Sequence, residues 1–432
     1  MLAPCCTRAH FPDTPMHVMV LGAGVTGVTT AWYLAEAGHQ VSVVDRADSP
    51  AMETSFANGG QISVSHPEPW SSPAAPWRIL RWLGQEEAPV LWRLRADPAQ
   101  WRWCAQFLAE CLPARHRRNL AHIAQLAVHS GACLRELRAQ LGFDYAQRTR
   151  GILHLYRDER EWRTAQDKCN LLQAHGIDCA PCTQASALDI EPALAHFAPQ
   201  LSGIVHAPGD ESGDAHAFTR ALAHACSQRG VRFHFGRQID GFVLDHDRAV
   251  AIDTREPAHE RSESLQADAF VVCLASDSPR LMRPLGETLP IYPVKGYSVT
   301  APVRDEAAAP SISLTDESRR IVFSRLGNNL RIAGTAELTG FDLNVRAARI
   351  QPLIDWFESA FPGAADFSRA SSWAGLRPTT PSNCPVIRCS KVNNVWLNTG
   401  HGSLGWTLSC GAAQLIGDLI CGRKPAVPGL AA

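Results

Sequence analysis

The sequence lacks any long apolar run. In its 432 residues no stretch reaches the roughly 18 uninterrupted apolar residues that a membrane-spanning helix needs, which excludes a helical transmembrane protein. Residues 1–15 also lack the basic start and the apolar core of a secretory signal peptide. We expect residues 1–15 to form a disordered extension, and Met16 is an alternative start to Met1.

An excess of either charge is missing too. The 41 Lys and Arg residues stand against 42 Asp and Glu residues, which gives a formal net charge of −1. This balance argues against nucleic acid or an anionic membrane as the main partner. The 45% hydrophobic and 19% charged composition is that of a soluble globular protein with two domains of ordinary size. We therefore expect a small-molecule partner and no nucleic acid.

The 14 cysteines lack the setting of a disulfide framework. They are scattered over a long chain without a secretory signal, which favours reduced thiols in a cytoplasmic protein. The one CxxC pair, Cys179 and Cys182, has no second pair to complete a four-ligand metal site. It also lacks the strand and helix that flank thioredoxin-like redox pairs. We predict no metal site.

A β-α-β unit is the first pattern that the sequence does contain. The apolar run His17 to Leu21 predicts a strand, and a glycine turn follows it. A helical face then comes from apolar residues at positions i, i+3, i+4 and i+7, which are Val28, Ala31, Trp32 and Ala35. After Gly38 a second apolar run ends at Asp45.

The glycine turn has the spacing of a dinucleotide-binding loop. Gly22 permits the tight turn, Gly24 lets backbone approach a pyrophosphate, and Gly27 allows close packing of helix on strand. The helix N-terminus, with Val25 and Thr26, then stabilises the diphosphate. Asp45 lies close to the roughly 20-residue spacing of the acid that binds a ribose hydroxyl. These residues do not separate NAD from FAD, because both contain the ADP half.

The segment from Glu53 to Ser63 is small and polar, with a glycine pair. Such a composition suits a second polar surface of a cofactor, and taken alone it also suits an ordinary loop. An NAD-dependent dehydrogenase and a non-catalytic nucleotide-binding subunit therefore stay open at this point. Further along, we predict a helical insertion over residues 77–142, strands between 203 and 333, and helices over 350–361 and 405–420.

Seven blocks in order carry a resemblance to a known family, from Met16 to about Lys424. They are residues 20–27, 45–46, 53–63, 210–214, 292–298, 373–378 and 398–407. In these blocks the chain resembles the FAD-dependent amine and amino-acid oxidoreductases, and most closely the bacterial D-amino acid dehydrogenase (small subunit) family. Two departures are Ala275, where the family has glycine, and Ser382-Asn383, where it has an Asp-Gly turn.

The resemblance implies an α/β fold, α+β overall. It implies a Rossmann-type FAD-binding domain, discontinuous in sequence, over residues 16–66, 205–287 and 367–426. A substrate domain with a mixed β-sheet plus helices would comprise residues 67–204 and 288–366. The implied cofactor is FAD.

The resemblance also implies roles for single residues. Arg377 would hold the substrate carboxylate, for which the planar guanidinium fork is suited, and Tyr297 is a candidate pocket residue. For Lys295 two interpretations stay open, a contact with the flavin edge and exposure to solvent. His401 would be a flavin contact. The implied cofactor-binding residues are Gly22, Gly24, Val25, Thr26, Gly27, Asp45, Arg46, Thr54, Ser55, Asn58, Gln61, Ile62, Gly400, His401, Gly402, Ser403, Leu404 and Gly405.

The implied reaction is oxidative deamination of a D-amino acid such as D-alanine, to a 2-oxo acid and ammonia. Electrons would pass to a quinone or respiratory carrier, with at most a peripheral contact on the inner face of the plasma membrane. The alternative is an enzyme that oxidises glycine, sarcosine or hydroxyproline with oxygen. It is less favoured, because the substrate-side tyrosine of glycine oxidases has no equivalent near Ile321.

Overall fold

A computed structural model describes residues 15–86, 88–257 and 261–427, so the predicted extension lies, apart from Pro15, outside the described residues. The strands are β1 (His17–Leu21), β2 (Gln40–Val44), β3 (Gln61–Ile62), β4 (Val90–Trp92), β5 (Ile152–Tyr156), β6 (Ala180–Cys182), β7 (Gly203–Ala207), β8 (Glu211–Ser212), β9 (Arg232–His234), β10 (Gln238–Asp245), β11 (Arg248–Glu256), β12 (Arg261–Gln266), β13 (Ala269–Val272), β14 (Tyr292–Pro302), β15 (Ser313–Asp316), β16 (Ile321–Leu326), β17 (Asn329–Leu338), β18 (Ser371–Thr379), β19 (Val386–Cys389) and β20 (Val395–Thr399). The α-helices are α1 (Val25–Glu36), α2 (Ala75–Trp82), α3 (Pro98–Glu110), α4 (Pro113–Leu141), α5 (Glu159–Gln173), α6 (Gln184–Ile190), α7 (Ala215–Gln228), α8 (Ser278–Met282), α9 (Ala347–Ala360) and α10 (Gly405–Ile420).

A six-stranded sheet in the order β19-β20-β13-β1-β2-β9 forms the first layer. Its strands are parallel except β19 at the edge. Val18 and Val20 of β1 face a core shared with α1, α7 and α10, whereas Met19 and Leu21 face the three-stranded sheet β10-β11-β12. Because both faces are covered, the strands are continuous apolar runs. The predicted β-α-β unit of Rossmann type is confirmed.

The second large sheet is mixed, as predicted. Its order is β18-β14-β17-β16-β15-β5-β7-β6, and β4 pairs with β17. Most neighbours are antiparallel, but β15 pairs parallel with β5. Helix α9 covers one face, where Trp356 stacks on Phe323 of β16 with ring centroids 4.5 Å apart.

The predicted domain boundaries stay a prediction. Strand pairing puts the whole of β7 and the whole of β18 in the mixed sheet. The boundaries at 205 and 367 instead assign most of β7 and all of β18 to the cofactor domain. We propose boundaries after Ala207 and Thr379, because a hydrogen-bonded strand belongs with its sheet.

The predicted helical insertion consists of α2, α3 and α4, with β4 between α2 and α3. The long helix α4 packs against α10, where a Cβ added to Gly411 would lie 2.8 Å from the Ser130 Cα. A glycine is therefore needed where these helices cross. No helix in the described ranges is both long and apolar enough for a bilayer span.

Candidate active site

A cavity of about 460 Å³ lies between the two large sheets. It opens at the carboxyl ends of β1, β2, β13 and β20, which is where ligands bind in open α/β sheets. On the opposite side it is lined by residues of β14, β17 and β18. The predicted cofactor-binding residues all line it except Gly27 and Ile62.

The glycine loop after β1 has the geometry that a phosphate site needs. Gly22 has φ 105°, and its N–H donates to the Val44 carbonyl at 2.8 Å. A Cβ on Gly27 would lie 1.8 Å from the Gly22 carbonyl oxygen, so Gly27 makes the turn compact without reaching the cavity. Gly24 precedes α1 and makes no side-chain cap, and a Cβ on it would meet only the Ser55 hydroxyl, at 3.6 Å. The N-terminus of α1 therefore faces the cavity, where it suits an anion.

Asp45 lies at the end of β2, where the ribose acid is expected. Its carboxylate accepts hydrogen bonds from the N–H groups of Ala23 (2.6 Å) and Ala47 (2.8 Å). Each oxygen keeps acceptor capacity toward the cavity. Burial raises the Asp45 pKa, but these two hydrogen bonds oppose the shift. Arg46 beside it pairs with Glu53 (2.6 Å) and Asp277 (3.0 Å).

The segment from Glu53 to Ser63 links the start of α1 to the mixed sheet, because the Ser55 hydroxyl accepts the Val25 N–H at 3.1 Å. The Thr54 hydroxyl donates to the Leu376 carbonyl at 2.8 Å, and the Gln61 amide donates to the Ser313 hydroxyl at 2.8 Å. Thr54, Ser55, Asn58 and Gln61 line the cavity, whereas the Ile62 side chain packs in the core with Leu126 of α4. The segment is thus a wall of the cavity rather than a free loop.

Arg377 is a cation on the cavity wall formed by β18. Its guanidinium lies over Gly296 of β14, where an added Cβ would come within 2.4 Å of Cζ, and Nη1 donates to the Thr335 carbonyl at 3.0 Å. No carboxylate of the described residues lies within 4.0 Å of it. Burial lowers the Arg377 pKa to about 10, so the group stays charged at neutral pH. An unpaired cation in a cavity is a ready site for a carboxylate.

Tyr297 and Lys295 contribute less to the cavity than their positions on β14 suggest. The Tyr297 hydroxyl donates to Glu337 at 2.5 Å, so only the ring is left to line the pocket. Burial raises the Tyr297 pKa. The Lys295 ammonium is buried with Asp342 at 3.0 Å and Glu337 at 3.4 Å. Lys295 therefore faces neither solvent nor the cavity, but a buried ion-pair network.

The loop between β20 and α10 closes another side of the cavity. Gly400 has φ 77°, and His401 is buried with its Nε2 unpartnered among the described residues. Burial lowers the His401 pKa to about 4, so the ring is neutral. Residues Gly402–Leu404 form a 3₁₀ turn before α10, which starts without a side-chain cap. This is a second helix N-terminus facing the cavity.

The arrangement fits FAD. Two helix N-termini whose N-cap residues make no side-chain cap suit the diphosphate and the electron-rich edge of the flavin, and Asp45 suits a ribose. An orphaned buried imidazole nitrogen is unfavourable unless a ligand supplies its partner. The cavity supplies the space for that ligand.

Both departures from the family pattern occur at left-handed backbone positions. Ala275 has φ 47° and lines the cavity, so it bears a methyl where glycine is unstrained. Asn383 has φ 61°, which asparagine tolerates better than most residues. Its side-chain Oδ1 accepts a hydrogen bond from the backbone N–H of Trp70 at 2.9 Å. The asparagine therefore fixes the residue whose ring lies 5.9 Å from the Arg377 guanidinium.

Sequence reasoning missed an aromatic wall of the cavity. Trp92, Trp103 and Phe107 line it from the insertion, and Trp70 lines it from the segment before α2. The Trp103 indole donates to the Thr379 carbonyl at 2.8 Å, which ties the insertion to β18. The density of tryptophan in this stretch was the available signal. Thr335 was missed as well, and nothing in its sequence context marks it.

Comparisons with known proteins show the family to which the chain belongs. The family model described as FAD dependent oxidoreductase matches residues 17–419. A D-amino acid dehydrogenase of Dechloromonas aromatica is 49% identical over 95% of this chain and 98% of its own length, and one of Paramagnetospirillum magneticum is 46% identical over 95% and 96%. A solved glycine oxidase from Geobacillus kaustophilus superposes with a TM-score of 0.73 at 21% identity, covering 96% of this chain and 98% of that one.

The glycine oxidase shares the fold, but at 21% identity this similarity does not indicate which substrate the chain uses. The family model and the two relatives show the family, because they match nearly the whole chain and the relatives are 49% and 46% identical to it. This chain therefore belongs to the FAD-dependent oxidoreductases and, within them, to the D-amino acid dehydrogenase family.

Proposed function

We propose that this protein is a D-amino acid dehydrogenase, which uses FAD to convert D-amino acids into 2-oxo acids and ammonia. The observation that carries the proposal is the unpaired Arg377 guanidinium on the wall of the FAD cavity. The relatives named D-amino acid dehydrogenase support the choice of substrate.

The chain's own residues bind and orient the substrate. Arg377 holds the α-carboxylate through its planar fork, and its bond to the Thr335 carbonyl fixes the direction of that fork. The aromatic wall around Trp70 and Trp103 excludes water from the reacting carbon. When bound, FAD accepts the hydride that leaves the substrate Cα. Water then hydrolyses the resulting imino acid to the 2-oxo acid and ammonia.

An anaerobic panel of amino acids tests the substrate class. We expect D-alanine to bleach the flavin absorption rapidly, because a carboxylate anchor beside the cofactor presents one face of Cα for hydride transfer. L-alanine, glycine and sarcosine should bleach it far more slowly. Glycine or sarcosine reducing the enzyme faster than any D-amino acid would favour the oxidase alternative.

The electron acceptor that we propose is a quinone reached from a membrane surface. Helix α2 supports this, because one side lines the cavity with Ile79 and Trp82 while Trp77 (75% exposed) and Leu80 (59% exposed) face outward. The inner side of α2 packs with α3, and α3 adds further exposed apolar side chains. Exposed arginines accompany them, namely Arg78, Arg81 and Arg102. Apolar and basic side chains together suit an interface rich in anionic lipid.

Replacing Trp77 and Leu80 together by glutamate should abolish sedimentation with vesicles that contain phosphatidylglycerol. Dye-linked oxidation of D-alanine should stay unchanged, since neither residue lines the cavity. The matched control is Leu244→Glu, which alters a side chain 43% exposed on the β10–β11 hairpin. Equal vesicle binding by the double variant and by the wild type would contradict this docking surface, and fast peroxide production would contradict the quinone.

A further inference from the structure

Strand β17 carries a bulge beside the proposed carboxylate anchor. Lys295 of β14 pairs with Glu337, and Tyr297 pairs with Gly334, so Thr335 and Ala336 lie opposite the single residue Gly296. Thr335 adopts φ 57°, a left-handed conformation that β-branched residues rarely take. A strained residue of this kind persists where the surrounding structure holds it, and such positions cluster at functional sites.

The bulge shapes the environment of Arg377. It turns the Thr335 carbonyl toward the guanidinium, which donates to it at 3.0 Å. The guanidinium occupies the space above Gly296, which any Cβ would fill. Thr335 and Arg377 are therefore neighbours on one wall, and both line the cavity.

The Thr335 hydroxyl has a free hydrogen-bonding capacity at this wall. Its Oγ1 is buried and has no partner among the residues that the structure describes. A buried hydroxyl without a partner is unfavourable, unless a ligand completes it. The wall thus combines a fixed cation with an uncharged group that both donates and accepts.

We infer that Thr335 is a substrate-binding residue whose hydroxyl accepts a hydrogen bond from the α-amino group while Arg377 holds the α-carboxylate. This inference rests on the proposed function. The amino and carboxylate groups of an amino acid are attached to the same carbon, so the atoms that bind them must be neighbours, as these are. Because the hydroxyl is uncharged, it binds the amino group without favouring the protonated ammonium form, as a carboxylate would. The contacts to the carboxylate and to the amino group together fix the orientation of Cα–H, which the carboxylate contact alone leaves free to rotate.

The test compares a ligand that has the amino group with one that lacks it. In Thr335→Val, kcat/KM for anaerobic flavin reduction by D-alanine should fall roughly 5- to 100-fold, the cost of an unmade hydrogen bond at a buried group. The inhibition constant of propionate, which offers only the carboxylate, should stay within twofold of wild type. Thr335→Ser should restore most of the activity, because it keeps the hydroxyl.

Thr335→Gly separates the hydroxyl from the backbone strain. It removes the hydroxyl and tolerates positive φ, so we expect the same loss of kcat/KM with an unchanged or higher Tm. Weaker propionate binding in Thr335→Val, or no rescue by serine, would overturn the inference. If Thr335→Val and Thr335→Gly both kept wild-type kcat/KM, the inference about Thr335 would be wrong and the proposed function would stand. If no D-amino acid reduced the wild-type enzyme, the proposed function and this inference would both be wrong.

Discussion

Replacing Arg377 by leucine should lower kcat/KM for D-alanine by roughly 30- to 4,000-fold and leave FAD bound. The loss of a buried, charge-assisted pair costs about 2 to 5 kcal/mol, and the expected fold-change in kcat/KM is this free energy converted to a ratio of rates. The cofactor should stay because the glycine loop, Asp45 and the loop before α10 do not depend on Arg377. The measurement is anaerobic flavin reduction by D-alanine, with flavin content determined in parallel.

Arg377→Lys is the matched control. It keeps the charge but loses the planar fork, so we expect only partial recovery of kcat/KM. A structural role for Arg377 would lower Tm and flavin content together. We expect neither, because removing an unpaired desolvated cation relieves an electrostatic cost. Wild-type kcat/KM in Arg377→Leu would mean that the carboxylate binds elsewhere.

Gly24→Val should yield a colourless protein that folds normally. A Cβ at Gly24 would meet only the Ser55 hydroxyl, at ordinary van der Waals distance. The apo protein therefore accommodates the start of the side chain, and the obstruction arises with the pyrophosphate. The measurements are flavin content after reconstitution and Tm of the apo protein.

Gly27→Ala provides the contrast, because its Cβ would lie 1.8 Å from the Gly22 carbonyl oxygen. This variant should lose stability in the apo form, where the Gly24 variant does not. Normal flavin content in Gly24→Val would show that the phosphates bind at another loop.

Much of the fold was predictable because its signals are local. The strand, glycine turn, helix and second strand around Gly22 follow one another within about thirty residues, a span typical of such units. Helix α10 runs from Gly405 to Ile420, as its apolar pattern predicts. Arg377 was predicted as the carboxylate anchor from the motif around it, and the structure adds that no carboxylate of the described residues pairs with it.

The remaining features depend on residues that are distant in sequence. The Tyr297 hydroxyl is engaged by Glu337, a partner that only the β14–β17 pairing brings near. The conformation of Thr335 arises from the same pairing, so no local pattern announces it. Trp70 reaches Arg377 because Asn383 holds its backbone. Such contacts are properties of the assembled sheets rather than of any segment.

The segment from Glu53 to Ser63 has a consequence for how the molecule melts. It lines the cofactor cavity, yet Thr54, Gln61 and the Ala57 carbonyl are all hydrogen-bonded to the mixed sheet, the last through Ser298 at 2.7 Å. Opening the mixed sheet therefore also frees a wall of the cofactor cavity, and we expect the two sheets to unfold as a single cooperative unit. We therefore expect FAD, by stabilising its own pocket, to slow hydrogen exchange at the amides of β14 and β18 as well.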